Sequence, residues 1–491
     1  MATRARARVS YHRTKILCTV GPSVASTDKI YQLLVAGADA FRINFSHGSE
    51  ETHAAYVQWI REAEQRVGRF VPIVVDLPGP KLRVGSLPGG AIELRAGERV
   101  LLTDVAHQKV EEALPGRQLI IPVEYPTIAQ DLRPGNAVLL DDGKMRLQVT
   151  GKVGTAVEAV VVVGGVLQSR KGINVPGIRI SLPSLTERDR AGILFASQHG
   201  CDYVAVSFVR SAEDVIAVRE LLRKEGSNAW VIAKIEKPEA LANVEQIIAV
   251  ADGIMIARGD LGVEIPAVQV PLVQKRLINL ANSKAKLVIT ATQMLESMVQ
   301  NPMPTRAEAS DVANAVLDGT DVVMLSAETS VGAYPVEAVM YMRSICQEAE
   351  QALTVHPEVV RSLVGEAATP ERIVTDAIAA AAAAIAAERQ VQGIVSLTLS
   401  GETVRLISKR RPPTPILAVT QSPMVARNVS LLWGTMGILL ERVGSTDETI
   451  EEVKLLLRRK RYFLPGERVV ITIGRPLVAR SRTNMLSIEV I

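Results

Sequence analysis

The chain has 491 residues, with 56 Lys plus Arg against 52 Asp plus Glu and a formal net charge of +4. Residues 1–15 alone carry Arg4, Arg6, Arg8, Arg13 and Lys15 and no acid, so the remaining body is nearly neutral. A neutral body with 3% aromatic residues excludes a general nucleic-acid binder, and 47% hydrophobic residues exclude a disordered chain.

In chain order, the Arg-rich start 1–12 reads as a leader; no apolar core follows it, so it is not a secretory signal. Short β-branched runs come next at 15–20, 40–44 and 72–76, separated by helical patterns at 26–36 and 50–67. From 80 to 182 the pattern changes. Strand-like runs at 91–94, 99–102, 118–121, 137–140, 146–150 and 155–163 are punctuated by Gly and Pro, with no amphipathic helix. Apolar runs then resume at 202–207, 230–234, 253–257, 286–290 and 321–325, most of them followed by helical stretches such as 212–224, 270–281, 305–317 and 335–352.

Eight strands alternating with helices predict an α/β fold, a (β/α)8 TIM barrel over 13–79 and 183–352. The all-β segment 80–182 falls in a βα loop, hence at the C-terminal face of the barrel, where it is placed to act as a lid. Residues 353–491 restart the alternation, with a helix at 373–388, strands at 393–399, 469–473 and 485–490, and read as a separate α/β domain. Three widely spaced cysteines, Cys18, Cys201 and Cys346, make neither a disulfide framework nor a metal-ligand spacing and point to a reducing, cytoplasmic setting. No apolar run of about 18 residues occurs, so no membrane partner is expected.

Five of the predicted strands end in ionisable or hydroxyl residues. Lys234 and Glu236 are two apart and share a face, so a cation and an anion point together into the barrel mouth. The neighbouring strand ends contribute Gly259 and Asp260, Thr292, Asp76, and Arg42 with Asn44, Ser46 and His47. Each alone has a bland reading, as a surface pair, a turn cap or a loop histidine. Their convergence on one rim favours chemistry. Glu236 and Asp260 can hold a hard divalent cation, and Mg²⁺ takes one or two carboxylates plus substrate oxygens. With Arg42 and Lys234 beside it, that suits a phosphoryl group or an enolate. No G-x-x-x-x-G-K-[ST] loop is present, so a nucleotide must be held by other means.

Long motifs sharpen this reading. Arg42–Gly48 (RINFSHG), Ile232–Glu236 (IAKIE), Asp252–Pro266 (DGIMIARGDLGVEIP), Thr290–Met298 (TATQMLESM) and Pro304–Gly319 (PTRAEASDVANAVLDG) closely resemble pyruvate kinases, and the resemblance runs from about Arg13 to the C-terminus. It implies phosphoryl transfer from phosphoenolpyruvate to ADP, giving pyruvate and ATP. Glu236 and Asp260 would bind Mg²⁺ (or Mn²⁺). Lys234 would face the transferring phosphoryl group, Arg42 the phosphate, Gly259 and Asp260 the substrate carboxylate, and Thr292 the substrate. Ser207, Phe208 and Arg210 match the wall of the substrate pocket, and His47, Arg83 and Lys171 match nucleotide-side positions. Asp142 matches a lid residue.

Many members bind a monovalent cation near the positions of Asn44, Ser46, Asp76 and Leu77. Here the third strand continues Asp76-Leu77-Pro78-Gly79-Pro80-Lys81, with Lys81 where those enzymes carry an acid. The chain therefore resembles the potassium-independent branch, the Lys81 ammonium supplying the charge that K⁺ supplies elsewhere. In the terminal domain, Thr398, Ser400, Gly401 and Thr403 resemble an effector loop. Glu402 argues against a bisphosphate and leaves a sugar monophosphate, AMP or no effector at all. The family also implies a homotetramer.

Overall fold

The structure is a computed structural model and describes residues 11–105, 119–178, 181, 183–353, 369–388, 391–476 and 481–491. Most of the leader, and the stretch 354–368 at the expected start of the terminal domain, lie outside the described residues.

The first three strands are β1 (Lys15–Thr19), β2 (Ala40–Asn44) and β3 (Ile73–Asp76). The helix between β1 and β2, Thr27–Ala36, starts where the Ser26 side chain accepts the Lys29 amide. The next, Glu50–Val67, starts at Ser49 in the same way and stops at Gly68, whose φ of +72° suits a residue without Cβ.

After β3 the chain leaves the barrel. It forms β4 (Leu82–Arg83), β5 (Ala91–Leu94), β6 (Arg99–Asp104), β7 (Leu119–Val123), β8 (Ala137–Leu140), β9 (Met145–Val153), β10 (Ala156–Val163), β11 (Gly165–Gln168) and β12 (Gly172–Asn174). Seven of these make one sheet in the order β4-β12-β8-β9-β10-β6-β7, and β5 pairs with β11. A one-turn helix, Ile128–Asp131, interrupts the strands. Strands β4, β11 and β12 have no counterpart among the predicted runs; at two to four residues they are too short to show alternation.

The chain returns through β13 (Tyr203–Val206), β14 (Trp230–Ile235), β15 (Gly253–Ala257), β16 (Leu287–Ala291) and β17 (Val322–Leu325). Eight parallel strands close in the order β1-β17-β16-β15-β14-β13-β3-β2, the barrel that the alternation implied. Alternate residues serve two cores. Ile16 and Cys18 pack with the surrounding helices, while Leu17, Val74, Ile232, Met255 and Ile289 join a cluster that continues into the C-terminal domain. That domain is a five-stranded sheet of β18 (Gly393–Leu397), β19 (Ile416–Thr420), β20 (Thr435–Leu439), β21 (Arg468–Ile473) and β22 (Met485–Val490), ordered β20-β19-β18-β21-β22, with β22 antiparallel at one edge.

Carboxylates at the two ends of the barrel, most of them buried, hold these parts together. At the N-terminal ends of the barrel strands, Asp39, Asp202, Asp252 and Asp321 each precede a strand, and the four strands alternate around the barrel. Each accepts the amide of a residue on an adjacent strand: Ile16, Ile73, Val231 and Val288, at 2.8–3.0 Å. Each also faces a cation, Arg69 in the case of Asp39, and for Asp252 and Asp321 the cations Arg405, Lys409 and Arg411 come from the C-terminal domain. At the other end, Asp189 fastens the two chain crossings into the inserted sheet. It accepts the Gly79 amide on the way out (2.9 Å) and the Thr186 amide on the way back (2.7 Å).

Candidate active site

The predicted rim residues meet at the C-terminal end of the barrel, beneath the inserted sheet. Lys234, the fifth residue of β14, is their centre. Its Nζ lies 2.9 Å from Glu236 Oε1 and 3.2 Å from Asp76 Oδ1, and donates to Ser207 Oγ at 2.6 Å. Ser207 in turn donates to the Leu77 carbonyl at 2.7 Å. Arg42 Nε binds the other oxygen of Asp76 at 2.6 Å, and Arg42 Nη1 donates to Thr19 Oγ1. Burial lowers the Lys234 proton affinity, but Asp76 and Glu236 outweigh it and hold the ammonium above lysine's ordinary value. Burial raises the Asp76 carboxyl, yet Lys234 and Arg42 keep it below the usual range. Glu236 is pushed up by its own burial, with Asp260 adding to the rise against Lys234.

Backbone strain marks two corners of this rim. Phe208 has φ +55°, and its amide donates to Glu236 Oε2 at 2.8 Å. Gly79 packs so closely that a Cβ there would lie 2.8 Å from the Phe208 ring. Thr292 and Gln293 have φ +70° and +55° after β16. Thr292 Oγ1 accepts the Gly259 amide (2.8 Å), and the Thr292 carbonyl accepts from Arg258, which also pairs with Asp311 at 2.6 Å. Left-handed backbone at non-glycine residues costs about 1–3 kcal/mol and tends to gather at functional sites. The segment after β15 is a short helix, Arg258–Glu264, and the Gly259 amide at its start is already engaged by Thr292.

Glu236 and Asp260 suit a divalent cation. Burial first, and then the neighbouring Asp260, raise the cost of ionising Glu236, and Glu236 Oε1 has no hydrogen-bond donor beyond its ion pair with Lys234. Among the described residues no group of three or more His, Cys, Asp and Glu could hold a metal, and a hard cation such as Mg²⁺ can be held by one or two carboxylates with substrate oxygens and water.

On the lid side, Lys81 Nζ sits 3.6 Å from Asp260 Oδ1 and 3.9 Å from Asp142 Oδ1. Lys171 pairs with Asp141 at 2.9 Å, and Arg83 donates to the Arg170 carbonyl. His47 is exposed; burial first, then Arg83, Arg188, Arg42 and Lys81, lower its proton affinity. Arg188 was not legible as part of this group. It is the second residue of the helix Glu187–Gln198 and donates to the Gly48 carbonyl at 3.4 Å, 140 residues away in sequence. Near the monovalent-cation positions, Asn44 Oδ1 accepts the Ser46 amide (3.1 Å), and the Leu77 side chain is buried. The Arg210 backbone is fixed by its amide bond to Asp214 (2.8 Å) and by Asn243, which donates to its carbonyl.

In the C-terminal domain, Thr398, Ser400 and Thr403 line a cavity of ≈ 500 Å³ together with Arg482 and Thr483. Two of the loop hydroxyls are already engaged: Thr398 Oγ1 accepts the Gly401 amide, and Thr403 Oγ1 shares a 2.6 Å bond with Thr483. Gly401 has φ +84°, and a Cβ there would meet Val429 at 2.8 Å. Glu402 is paired with Arg372 at 3.0 Å, so its charge is not bare.

Two family models match the chain: pyruvate kinase, barrel domain, over 11–339, and pyruvate kinase, alpha/beta domain, over 376–489. The chain is 46% identical over 482 residues to a pyruvate kinase from Geobacillus stearothermophilus, covering 98% of this chain and 80% of that one. It is 38% identical to one from Clostridium acetobutylicum, covering 98% and 99%. A crystal structure of a pyruvate kinase from Cryptosporidium parvum superposes with TM-score 0.88 at 34% identity, covering 98% of this chain and 96% of that one.

Proposed function

The chain belongs to the pyruvate kinase family, and from that premise we propose that it moves the phosphoryl group of phosphoenolpyruvate to ADP at the Lys234 rim without requiring potassium. The observation that carries the reading is the Lys234 ammonium, buried and kept charged between Asp76 and Glu236 at the mouth of the barrel. There it can neutralise charge that builds on a phosphoryl group in flight and on the enolate oxygen left behind. Arg42, locked to Asp76, offers its remaining donors to the phosphate. Thr292 lies against the Gly259 amide, so it faces the same end of the substrate as Asp260. Ser207 and Phe208 form the wall that holds Lys234 and Glu236 in place. His47, Arg83 and Lys171 form the nucleotide side. Held by Glu236 and Asp260, Mg²⁺ or Mn²⁺ would supply neutralisation of phosphate and enolate charge. A coupled assay of ADP-dependent pyruvate release tests the whole reading; no release with either metal would overturn it.

Potassium independence rests on Lys81. Its ammonium lies beside Asp260, and several oxygens at the expected cation positions already have partners: Asn44 Oδ1 the Ser46 amide, the Leu77 carbonyl Ser207, and Asp76 both Arg42 and Lys234. Turnover in a potassium-free buffer is expected to equal turnover with K⁺. Lys81→Glu should need K⁺ for activity; strong K⁺ activation of the wild type would refute the assignment.

Regulation by a sugar monophosphate or AMP is part of the same reading, supported by the hydroxyl-lined cavity and Arg482. Titrating each at subsaturating phosphoenolpyruvate should raise the rate for one of them, and a flat response to all would leave the loop structural. Assembly as a homotetramer is supported by the edge position of β22, which leaves Ile488 and Val490 half exposed. A cytoplasmic setting fits the three free, buried thiols.

A further inference from the structure

The helix Arg258–Glu264 carries a second carboxylate one turn beyond Asp260. Residues four apart lie on one helix face, about 6 Å along the axis. Glu264 is buried, and its Oε1 accepts from two directions: Lys237 Nζ at 2.6 Å and Asn174 Nδ2 at 2.9 Å. Asn174 ends β12 in the inserted sheet, 90 residues away in sequence. Gly172, two residues earlier, shares its strand face, also about 6–7 Å away. A Cβ on Gly172 would lie 3.0 Å from Lys81 Cε. The spacings match: Asp260 meets Lys81 beside Gly172, and Glu264 meets Asn174.

The same carboxylate reaches the other side of the site. Lys237 follows Glu236 directly, and its Nζ lies 5.8 Å from the centre of the Phe208 ring. The Phe208 amide binds Glu236. Glu264 therefore connects the lid strand, the helix that carries Asp260 and the strand end that carries Glu236.

We propose that Glu264 is a positioning residue that latches the lid, through Asn174 and Lys237, in register with the two carboxylates of the metal site. The proposal rests on the assignment of Glu236 and Asp260 to a divalent cation. A buried charge bound to both partners resists sliding of either, because moving one away strips the buried carboxylate of a donor in a dry site. The Asp189 clasp fixes where the chain crosses into the lid, whereas Glu264 fixes where the lid's inner strand comes to rest.

The test uses Glu264→Gln and Asn174→Ala in the full chain. Mn²⁺ binding without substrates is followed by electron paramagnetic resonance, and lid mobility by hydrogen exchange of residues 171–175. Partners that orient ligating groups typically contribute about 10–100-fold in metal affinity or activity. Glu264→Gln is expected to weaken Mn²⁺ binding about tenfold, to raise KM for ADP by a similar factor and to speed exchange in 171–175. Asn174→Ala, which frees only the lid, should raise KM for ADP and exchange while Mn²⁺ binding stays near the wild type. Lys237→Arg, which keeps a cation on Glu264, should stay close to wild type in all three. Unchanged Mn²⁺ affinity and ADP KM in Glu264→Gln, or a uniform loss of folded protein with both values retained, would overturn the latch. Failure of wild-type protein to bind Mn²⁺ would instead strike the metal-site assignment beneath it.

Discussion

Lys234→Met is expected to cut turnover by at least about 10²–10³-fold, the range for removing one preorganised charge that acts on the transition state. The loss should fall on kcat more than on KM, because the ammonium is most needed when charge has shifted. A stability cost accompanies it. Asp76 and Glu236 would lose their shared cation, and breaking a buried pair by removing one partner typically costs about 3–5 kcal/mol; Arg42 on Asp76 softens this. Steady-state kinetics beside a thermal melt separates the two effects. A mutant that melts like the wild type and still turns over at a comparable rate would refute the role of Lys234. No ionisation of Lys234 should show in the pH–rate profile up to lysine's ordinary range, since its carboxylate neighbours hold it charged beyond that point.

Lys409→Met is expected to loosen the C-terminal domain from the barrel. Lys409 is fully buried, paired with Asp321 and donating to Asn282 Oδ1 at 2.9 Å. Asp321 also caps the Val288 amide and keeps Arg411 at 2.9 Å, so the loss should sit at the lower end of the buried-pair range, about 3 kcal/mol. Urea denaturation followed by tryptophan fluorescence suits the measurement, because Trp433 lies beside Arg411 in the C-terminal domain. Adding Asp321→Asn should recover part of the loss, and an unshifted midpoint in the single mutant would show that the pair does not hold the domains. The wild type carries a pH signature as well. Burial brings the Lys409 ammonium down to about 8, with Arg411 adding to the fall and Asp321 opposing it. Above that value the unfolded chain binds this proton more tightly than the folded one. Stability from this group therefore rises with pH between about 8 and lysine's ordinary value near 10.4. Lys409→Met should lack that slope.

The barrel was legible because its signal is local. Eight β-branched runs alternate with helices, and Ser26, Ser49 and Thr305 stand where the observed helices are capped. The centre of the site was legible for the same reason. Lys234 and Glu236 are two residues apart at the end of one strand, so extended-chain geometry brings them together. The carboxylate that links them to the lid was not. Glu264 reads as one more acid at a helix end, and β12 is a three-residue strand, Gly-Ile-Asn, with too little pattern to announce itself. Their meeting depends on a 90-residue excursion closing back on the barrel. The four aspartates below the barrel sit in plain view before their strands, yet nothing local says that each binds an amide of the adjacent strand.

The amino-acid sequence by itself determined the barrel, the inserted β segment, the family resemblance and the charged strand ends, because each depends on residues within one strand, helix or contiguous motif. Tertiary structure decided where those charges end in space. It turned Asp76 toward Lys234 and Arg42, set Lys81 beside Asp260, drew Glu264 onto Asn174 and buried Lys409 against Asp321. Burial is what gives such pairs their strength, since a charge removed from water must find its partner inside the protein. Partners that lie tens to hundreds of residues apart meet only when the whole chain has folded.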